Sequence, residues 1–377
     1  MKTMFKIGVI GQNGFVGRHV FNSLGLYPRE FIRIDFERPF FDDIILMDNF
    51  VKQCDIIIHL AGLNRHTDPD ILYKTNVSLT ENLIASLQRT KSEAHVLFSS
   101  STQEVKDNLY GQSKKLSRVM LDDWASKCEG KFTGLIIPNV FGPFASPFYN
   151  SVIATFCYQL THGETPTINV DGELELIYID ELVNVFLKCI REKTSNSNFE
   201  VKPTFRIKVS ETLYILQKFK NTYLESGTIP DLNSRFELNL FNTFRSFIDI
   251  AENYPVHFKQ HTDNRGSFAE IIRVGNGIDG QTSFSTTLPG ITRGNHFHTR
   301  KVERFAVIKG NALIQLRKVG SEQVFNFYLS GNDPSYVDMP IWYAHNIKNV
   351  GEEELYTIFW ISEFFDSADS DTYFEAV

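Results

Sequence analysis

Tyr110 and Lys114 stand four residues apart in the run Tyr-Gly-Gln-Ser-Lys, which places them one turn apart on one helix face. An ammonium at that spacing lowers the pKa of a phenol by favouring the phenolate. Such a phenol can give a proton to a carbonyl oxygen while a hydride arrives at the carbon. Just upstream, the apolar run from His95 to Phe98 ends in Ser99, Ser100 and Ser101. A hydroxyl from Ser101, or from Ser100, can hold the same oxygen. A tyrosine/lysine pair at this spacing is also an ordinary solvated helix face, so its meaning rests on the rest of the chain.

A second group lies far downstream. His296 and His298 stand at i and i+2, Glu303 follows five residues later, and His345 sits in Pro-Ile-Trp-Tyr-Ala-His. Histidines two apart on a strand face the same side. A carboxylate from the next turn and an imidazole from a distant strand complete a set of three nitrogens and one oxygen. That set suits Zn2+ or another divalent transition metal with positions left open for substrate. Any one of these histidines alone reads as a packed or hydrogen-bonded core residue.

These groups need elements to hold them. The strand Phe5 to Ile10 runs into Gly11-Gln-Asn-Gly-Phe-Val-Gly17 and then into the helical stretch Arg18 to Leu26. Here Gly11, Asn13, Gly14, Phe15, Val16 and Gly17 are the expected contacts of a dinucleotide. Glycines permit the tight turn and close approach, and the new helix offers free N–H groups and its positive dipole end to phosphate. A second strand, Phe31 to Asp35, ends 18 residues beyond Gly17. Asp35 there would bond ribose hydroxyls and favour NADH, whereas nearby Arg38 would meet a 2′-phosphate and favour NADPH. NADPH is the expectation, with NADH the alternative. Cys54 to Ala61 reads as a buried strand, with Leu60, Ala61 and Gly62 at its end as further cofactor contacts. Asn76 to Gln88 carries Val77, Leu83, Ile84 and Leu87 at helical spacing. Phe132 to Ile137 is another strand, Thr194 to Asn198 reads as a polar loop, and Ser210 to Phe219 as a helix. Strands alternating with helices predict an α/β fold with a Rossmann-type doubly wound parallel sheet and its ligand at the C-terminal strand ends.

From about Tyr254 the pattern changes to short, evenly spaced strands such as Ser283–Thr287, Arg304–Lys309 and Tyr356–Ile361, the signature of an all-β sandwich or barrel. The expected domains are 1–248 and 249–377.

The bulk numbers narrow the function classes. With 377 residues, net charge −7 and 13% aromatics, the chain can bury large cores and offers no basic surface for nucleic acid. Cys54, Cys128, Cys157 and Cys189 are far apart in apolar surroundings and are expected as buried free thiols. No apolar run is long enough to span a membrane, and a strand starting at about Met4 leaves no room for a signal peptide. A cytoplasmic protein is expected.

Residues 5 to about 245 resemble an extended short-chain dehydrogenase/reductase acting on a nucleotide sugar. The likeness lies in GQNGFVG (11–17), HLAG (59–62), FSSS (98–101), YGQSK (110–114), PNVFGP (138–143) and YIDEL (178–182). It implies Tyr110 as proton donor, Lys114 as its activator and ribose ligand, and Ser101 or Ser100 as partner of the carbonyl oxygen. Asn139, Tyr149 and Asn150 are the implied substrate contacts. Two departures stand out. Dehydratases of this family carry Asp-Glu where this chain has Thr102-Gln103, so dehydration is not expected. Leu174 stands where the family has an arginine ahead of YIDEL.

The spacing around His296, His298, Glu303 and His345 resembles both cupin motifs, with Trp342 in the place of a glycine of the second. The barrel is also similar to the 3,5-epimerases of deoxyhexose pathways, through Asp263-Asn-Arg265-Gly-Ser-Phe and Thr292-Arg-Gly-Asn-His296-Phe. That likeness adds Arg265 to the substrate contacts and would make His296 a general base. A metal-bound imidazole has no lone pair for that work, and the metal role is preferred. Over its whole length the chain resembles the bifunctional capsular-polysaccharide enzymes of the UDP-N-acetyl-L-fucosamine route. The resemblance implies C3 epimerisation of a UDP-2-acetamido-2,6-dideoxy-4-ketohexose in the barrel, then NADPH-dependent reduction at C4. The alternatives are a 4-ketoreductase with a structural cupin, or a non-catalytic nicotinamide-binding sensor or scaffold. Cupins often pair through edge strands, so a homodimer is the expected assembly.

Overall fold

From Ile7 to Ile10 every residue of the first strand is buried, as a strand covered by helices on both faces requires. The structure, a computed structural model, describes residues 4–128, 130–263, 266–274 and 280–377. Arg265 lies outside the described residues.

In chain order the first elements are β1 (Phe5–Ile10), α1 (Phe15–Gly25), β2 (Phe31–Ile34), α2 (Ile44–Gln53), β3 (Ile56–His59), α3 (Pro69–Thr90), β4 (His95–Ser101), α4 (Leu109–Ser126) and β5 (Phe132–Ile137). They continue through β6 (Asn139–Phe141), α5 (Val152–Thr161), β7 (Glu173–Tyr178), α6 (Ile179–Glu192), β8 (Asn196–Glu200) and β9 (Phe205–Lys208). Six strands form a parallel sheet in the order β2-β1-β3-β4-β5-β8. The order reverses between β1 and β3, and an open α/β sheet binds its ligand at that crevice. A smaller sheet joins β6, β7 and β9. The core packs Ile10, Phe50, Ile57, Leu83, Val96, Phe98, Leu121 and Trp124 together. Each such side chain contributes about 1.5–3 kcal/mol when fully buried.

The run Thr194–Asn198 is not a loop. Its last three residues begin β8, which pairs with β5 as the edge of the parallel sheet. Exposed and half-buried positions alternate along β8, so an edge strand here tolerates the serines and asparagines that made the segment look irregular.

The second part contains α7 (Val209–Phe219), α8 (Arg235–Arg245), α9 (Ile250–Asn253), β10 (Val256–His257), β11 (Gln260–Asp263), β12 (Gly266–Ala269), β13 (Gln281–Thr287), β14 (Thr292–Phe297), β15 (Glu303–Lys309) and β16 (Asn311–Lys318). It ends with β17 (Val324–Ser330), β18 (Ser335–Met339), β19 (Tyr343–Asn349), β20 (Leu355–Ile361) and β21 (Tyr373–Phe374). Two antiparallel five-stranded sheets, β10-β18-β15-β20-β13 and β17-β16-β19-β14-β21, make a cupin-like barrel. Val307, Ile314, Leu316, Leu329, Val337 and Leu355 fill its core.

The chain divides into two compact units, Met1–Thr155 with Asp171–Val209, and Phe156–Val170 with Ser210–Val377. Residues 210–248 therefore pack within the second unit, where Asn242 donates to the Arg300 carbonyl at 2.9 Å and Arg245 to the Met339 carbonyl at 3.0 Å. The limit drawn at 248/249 follows the change of strand pattern and is a separate division. Cys54, Cys157 and Cys189 are buried free thiols, but Cys128 is exposed, because it lies just past the end of α4.

Candidate active site and metal centre

The loop from β1 to α1 is built by close backbone approach. Gly11 has φ +94°, and a Cβ on Gly17 would stand 2.0 Å from the Gly11 carbonyl oxygen. Gly14 caps α1 without a side-chain acceptor, and no acidic residue occupies the first turn. The opening N–H groups stay free for an anion. Gly11, Gly14, Phe15, Val16 and Gly17 line one side of a cleft of about 580 Å3. Leu60 and Gly62, which follow β3, line it too. Asn13 and Ala61 lie in the same loops but outside the lining. Asp35 directly follows β2, and Arg38 opens a 3-10 turn over Arg38–Phe41. Both are exposed.

The opposite side of the cleft comes from β4 and α4. Asn108 caps α4 by accepting from the Gly111 N–H at 2.8 Å, which starts the helix one residue before Tyr110. Tyr110 and Lys114 both line the cleft, with Ser99, Ser100 and Ser101 at the end of β4. The lysine does not lower the phenol's pKa. Burial pushes Tyr110 up to about 12, against a hydrogen bond with the Ser101 hydroxyl and with the nearby Tyr149 adding to the rise. Lys114 donates to the Ser99 carbonyl at 3.0 Å, and burial pushes it down to about 8 against the pull of Glu104. The two candidate serines part company. Ser101 lies beside the phenol, whereas the buried Ser100 donates to Glu104, which is paired with Arg118 at 2.7 Å. Alternate side chains of a strand point to opposite faces, so the hydroxyls of two adjacent serines turn to different partners.

Asn139, Tyr149 and Asn150 line the far wall, and so does Leu174. Lys114 is the one charged side chain in the lining among the described residues. Two positions escaped the sequence reading. Asn76, buried in α3, accepts from the Leu63 N–H at 2.7 Å and donates to the Leu63 carbonyl at 3.0 Å and to Ser113 at 3.2 Å. It fastens the loop after β3 to the helix of Tyr110. The buried face of α3 is Leu72, Asn76, Thr80, Leu83, Ser86 and Leu87, so an apolar stripe was the wrong signal for it. Asn64 lines the cleft and donates its N–H to the Tyr149 hydroxyl at 3.2 Å.

In the barrel, His296, His298, Glu303 and His345 converge, with their ligand atoms all within 4.8 Å of one another. His296 lies opposite His345 across β14 and β19, next to a bulge at Asn295. The Glu303 carboxylate stands 3.1 Å from His298 Nε2 and 3.3 Å from His345 Nε2. These three atoms are buried and find no hydrogen-bond partner in good geometry. On the far sides of the rings, His298 Nδ1 meets the Asp371 carbonyl at 2.5 Å and His345 Nδ1 the Tyr343 carbonyl at 3.0 Å. Carbonyls accept, so both Nδ1 atoms carry protons, and in the neutral rings both Nε2 atoms turn lone pairs to the centre. Burial, with His345 and His298 close by, pushes His296 down to about 4. Burial opposes a charged Glu303, but the His298 and His345 imidazoles beside it outweigh burial and hold the carboxyl well below its usual range. Inward lone pairs, an ionised carboxylate and orphaned buried atoms fit a divalent cation. Trp342 holds φ +60° where the cupin motif has glycine, and its backbone N–H donates to the His298 carbonyl at 2.7 Å.

Residues 7–201 match the NAD dependent epimerase/dehydratase family, and residues 261–373 the polysaccharide biosynthesis C-terminal domain. The UDP-2-acetamido-2,6-beta-L-arabino-hexul-4-ose reductase of Pseudomonas aeruginosa is 32% identical over 371 residues, covering 98% of each chain. The crystal structure of the capsular polysaccharide assembling protein CapF from Staphylococcus aureus superposes with a TM-score of 0.61 at 32% identity, covering 99% of this chain and 100% of that one. CapF with the inhibitor 3-isopropenyl-tropolone gives a TM-score of 0.58 at 30% identity, covering 99% of this chain and 100% of that one. The chain belongs to the NAD dependent epimerase/dehydratase family, in the two-part form that continues into a polysaccharide biosynthesis C-terminal domain and is shared with the Pseudomonas reductase and CapF.

Proposed function

We propose that the chain is a two-step nucleotide-sugar enzyme that epimerises C3 of UDP-2-acetamido-2,6-dideoxy-β-L-arabino-hexos-4-ulose and then reduces its C4 ketone. The product is UDP-N-acetyl-6-deoxy-L-talosamine, on the UDP-N-acetyl-L-fucosamine route. Residues 1–248 carry the reduction and 249–377 the epimerisation. The observation that carries the reading is the convergence of Tyr110, Ser101 and Lys114 in the cleft onto which the glycine loop opens.

When bound, NADPH supplies the hydride for C4, held by the loop Gly11–Gly17, by Leu60–Gly62 and by Lys114, with Asp35 and Arg38 at the ribose end. Tyr110 gives its proton to the C4 oxygen, and Ser101 holds that oxygen by its hydroxyl. Burial keeps the phenol protonated at neutral pH, as a proton donor must be. Asn139, Tyr149, Asn150 and Arg265 orient the sugar nucleotide.

A divalent metal, zinc by preference, held by His296, His298, Glu303 and His345, supplies Lewis acidity toward a ketone oxygen. The tropolone bound to CapF supports this, because its adjacent carbonyl and hydroxyl oxygens are a metal-chelating pair. Chemistry sets the order of steps. The C3 proton is acidic only while C4 is a ketone, since its loss gives an enolate. Reduction removes that acidity, so epimerisation comes first.

Edge strand β13 carries Phe284, 72% exposed, which supports a homodimer. A cytoplasmic location is part of the proposal; among the described residues no helix is long and apolar enough to cross a membrane. The deciding experiment incubates the protein with UDP-4-keto sugars in D2O, with and without NADPH, and follows products by NMR. Deuterium at C3 without NADPH and reduction with it are expected. NADPH oxidation without C3 exchange would leave a 4-ketoreductase with a structural barrel. Neither activity would leave a nicotinamide-binding sensor or scaffold.

A further inference from the structure

We propose that Asp371 is a positioning residue for the metal centre, holding His298 in the ring orientation that turns Nε2 inward. The proposal rests on the metal reading above. His345 is held by a carbonyl of its own strand, two residues away. His298 depends instead on the carbonyl of Asp371, 73 residues along the chain. That carbonyl is aimed by an unusual backbone. Asp371 has φ +43° and is 4% exposed. Aspartate is one of the few non-glycine residues that visit this region readily.

Its side chain holds it there. One carboxylate oxygen accepts from the Thr299 N–H at 3.1 Å and the Thr299 hydroxyl at 2.6 Å. The other accepts from the N–H groups of Arg300 at 3.0 Å and Lys301 at 3.1 Å. These residues form the turn between His298 and Glu303, so one side chain organises the link between two of the four candidate ligands. The flanks of Asp371 are tied down as well. Lys301, 1% exposed, donates to the Ser370 carbonyl at 2.8 Å, and Arg300 pairs with Asp369 at 2.9 Å. On the other side β21 pairs with β14, Phe374 opposite His296. Without its carboxylate bonds residue 371 relaxes from φ +43°, the carbonyl moves, and His298 loses the partner that fixes its tautomer and tilt.

The test is a titration of the full-length, chelator-stripped protein with Co2+ alone, read by its visible d–d absorption. Asp371→Asn keeps size and tolerance of the left-handed region but turns one acceptor oxygen into a donor facing backbone N–H groups. It should lower Co2+ affinity about ten- to a hundredfold and shift the absorption bands at saturation, with NADPH binding unchanged. Thr299→Val, which removes only the hydroxyl bond, should move both readouts the same way by less, and it carries the test if Asp371→Asn does not fold. Wild-type affinity and wild-type bands in the folded variants would overturn the proposal, even with a lowered Tm, because a merely structural role moves Tm alone. No Co2+ uptake by the wild type would instead overturn the metal reading, and this proposal with it.

Discussion

Lys114 reaches across from its helix to the carbonyl oxygen of Ser99 at 3.0 Å, tying the element that carries Tyr110 to the strand end that carries Ser101. The contact explains how a buried ammonium is tolerated: a buried charge needs hydrogen-bond partners. It also leaves the lysine with a pKa pushed down to about 8 by burial. The kcat/KM for reduction should therefore fall as pH rises through about 8, where the free enzyme loses its ammonium. Stability should move the other way. The unfolded lysine keeps its proton to higher pH, so between about 8 and the ordinary lysine range the unfolded state binds more protons and stability rises with pH. A pH–rate profile beside a pH series of Tm checks both signs.

Tyr110→Phe removes the proton donor and leaves the aromatic ring. Reduction should drop about 10²–10⁴-fold, while deuterium exchange at C3 continues at the wild-type rate. NADPH oxidation and NMR on the same sample report the two. Loss of both in a folded variant would mean that one site performs both steps.

His298→Ala should lower metal content and C3 exchange together. It leaves Glu303 facing His345 alone, with the carboxylate short of one of its two imidazole neighbours. Metal analysis of protein purified without chelator, with NADPH affinity as the control, measures this. A metal-free wild type that still exchanges the C3 proton would return His296 to the role of general base.

Arg38→Ala should cost about ten- to a hundredfold in kcat/KM with NADPH, the worth of a charge-assisted hydrogen bond, and little with NADH. Asp35→Ala should penalise NADH more. Steady-state comparison of the two cofactors decides which residue reads the ribose.

Asn76→Ala strips the Leu63 N–H and carbonyl of their side-chain partner. An unsatisfied buried polar group costs about 1–3 kcal/mol, so the Tm should fall. NADPH affinity should fall with it, because the loose loop follows β3 at the cofactor cleft. Thermal unfolding and a cofactor titration check the pair of effects.

The local features that build the candidate sites could be read from the chain alone. A glycine loop between strand and helix, a Tyr-x-x-x-Lys helix face and His-x-His on a strand each owe their meaning to geometry that spans a few residues, and backbone periodicity settles that geometry. The doubly wound sheet and the change to an all-β barrel were equally legible, because burial on one or both faces leaves a periodic pattern. What reached across the chain was not. Tertiary structure decided that Ser101 and not Ser100 turns to Tyr110, since the phase of β4 against its neighbours chooses the face. It raised the phenol's pKa where the sequence led us to expect a lowering, because burial disfavours the phenolate more than the neighbouring groups favour it. It made Thr194–Asn198 lead into a strand, since an edge needs one neighbour and few apolar side chains. It buried Asn76 in α3 and Asp371 beside His298, polar residues whose partners lie 13 and 73 positions away. Hydrogen bonds of that reach leave no period in a sequence, because they depend on where the folded backbone brings an unpaired donor, and only packing determines that.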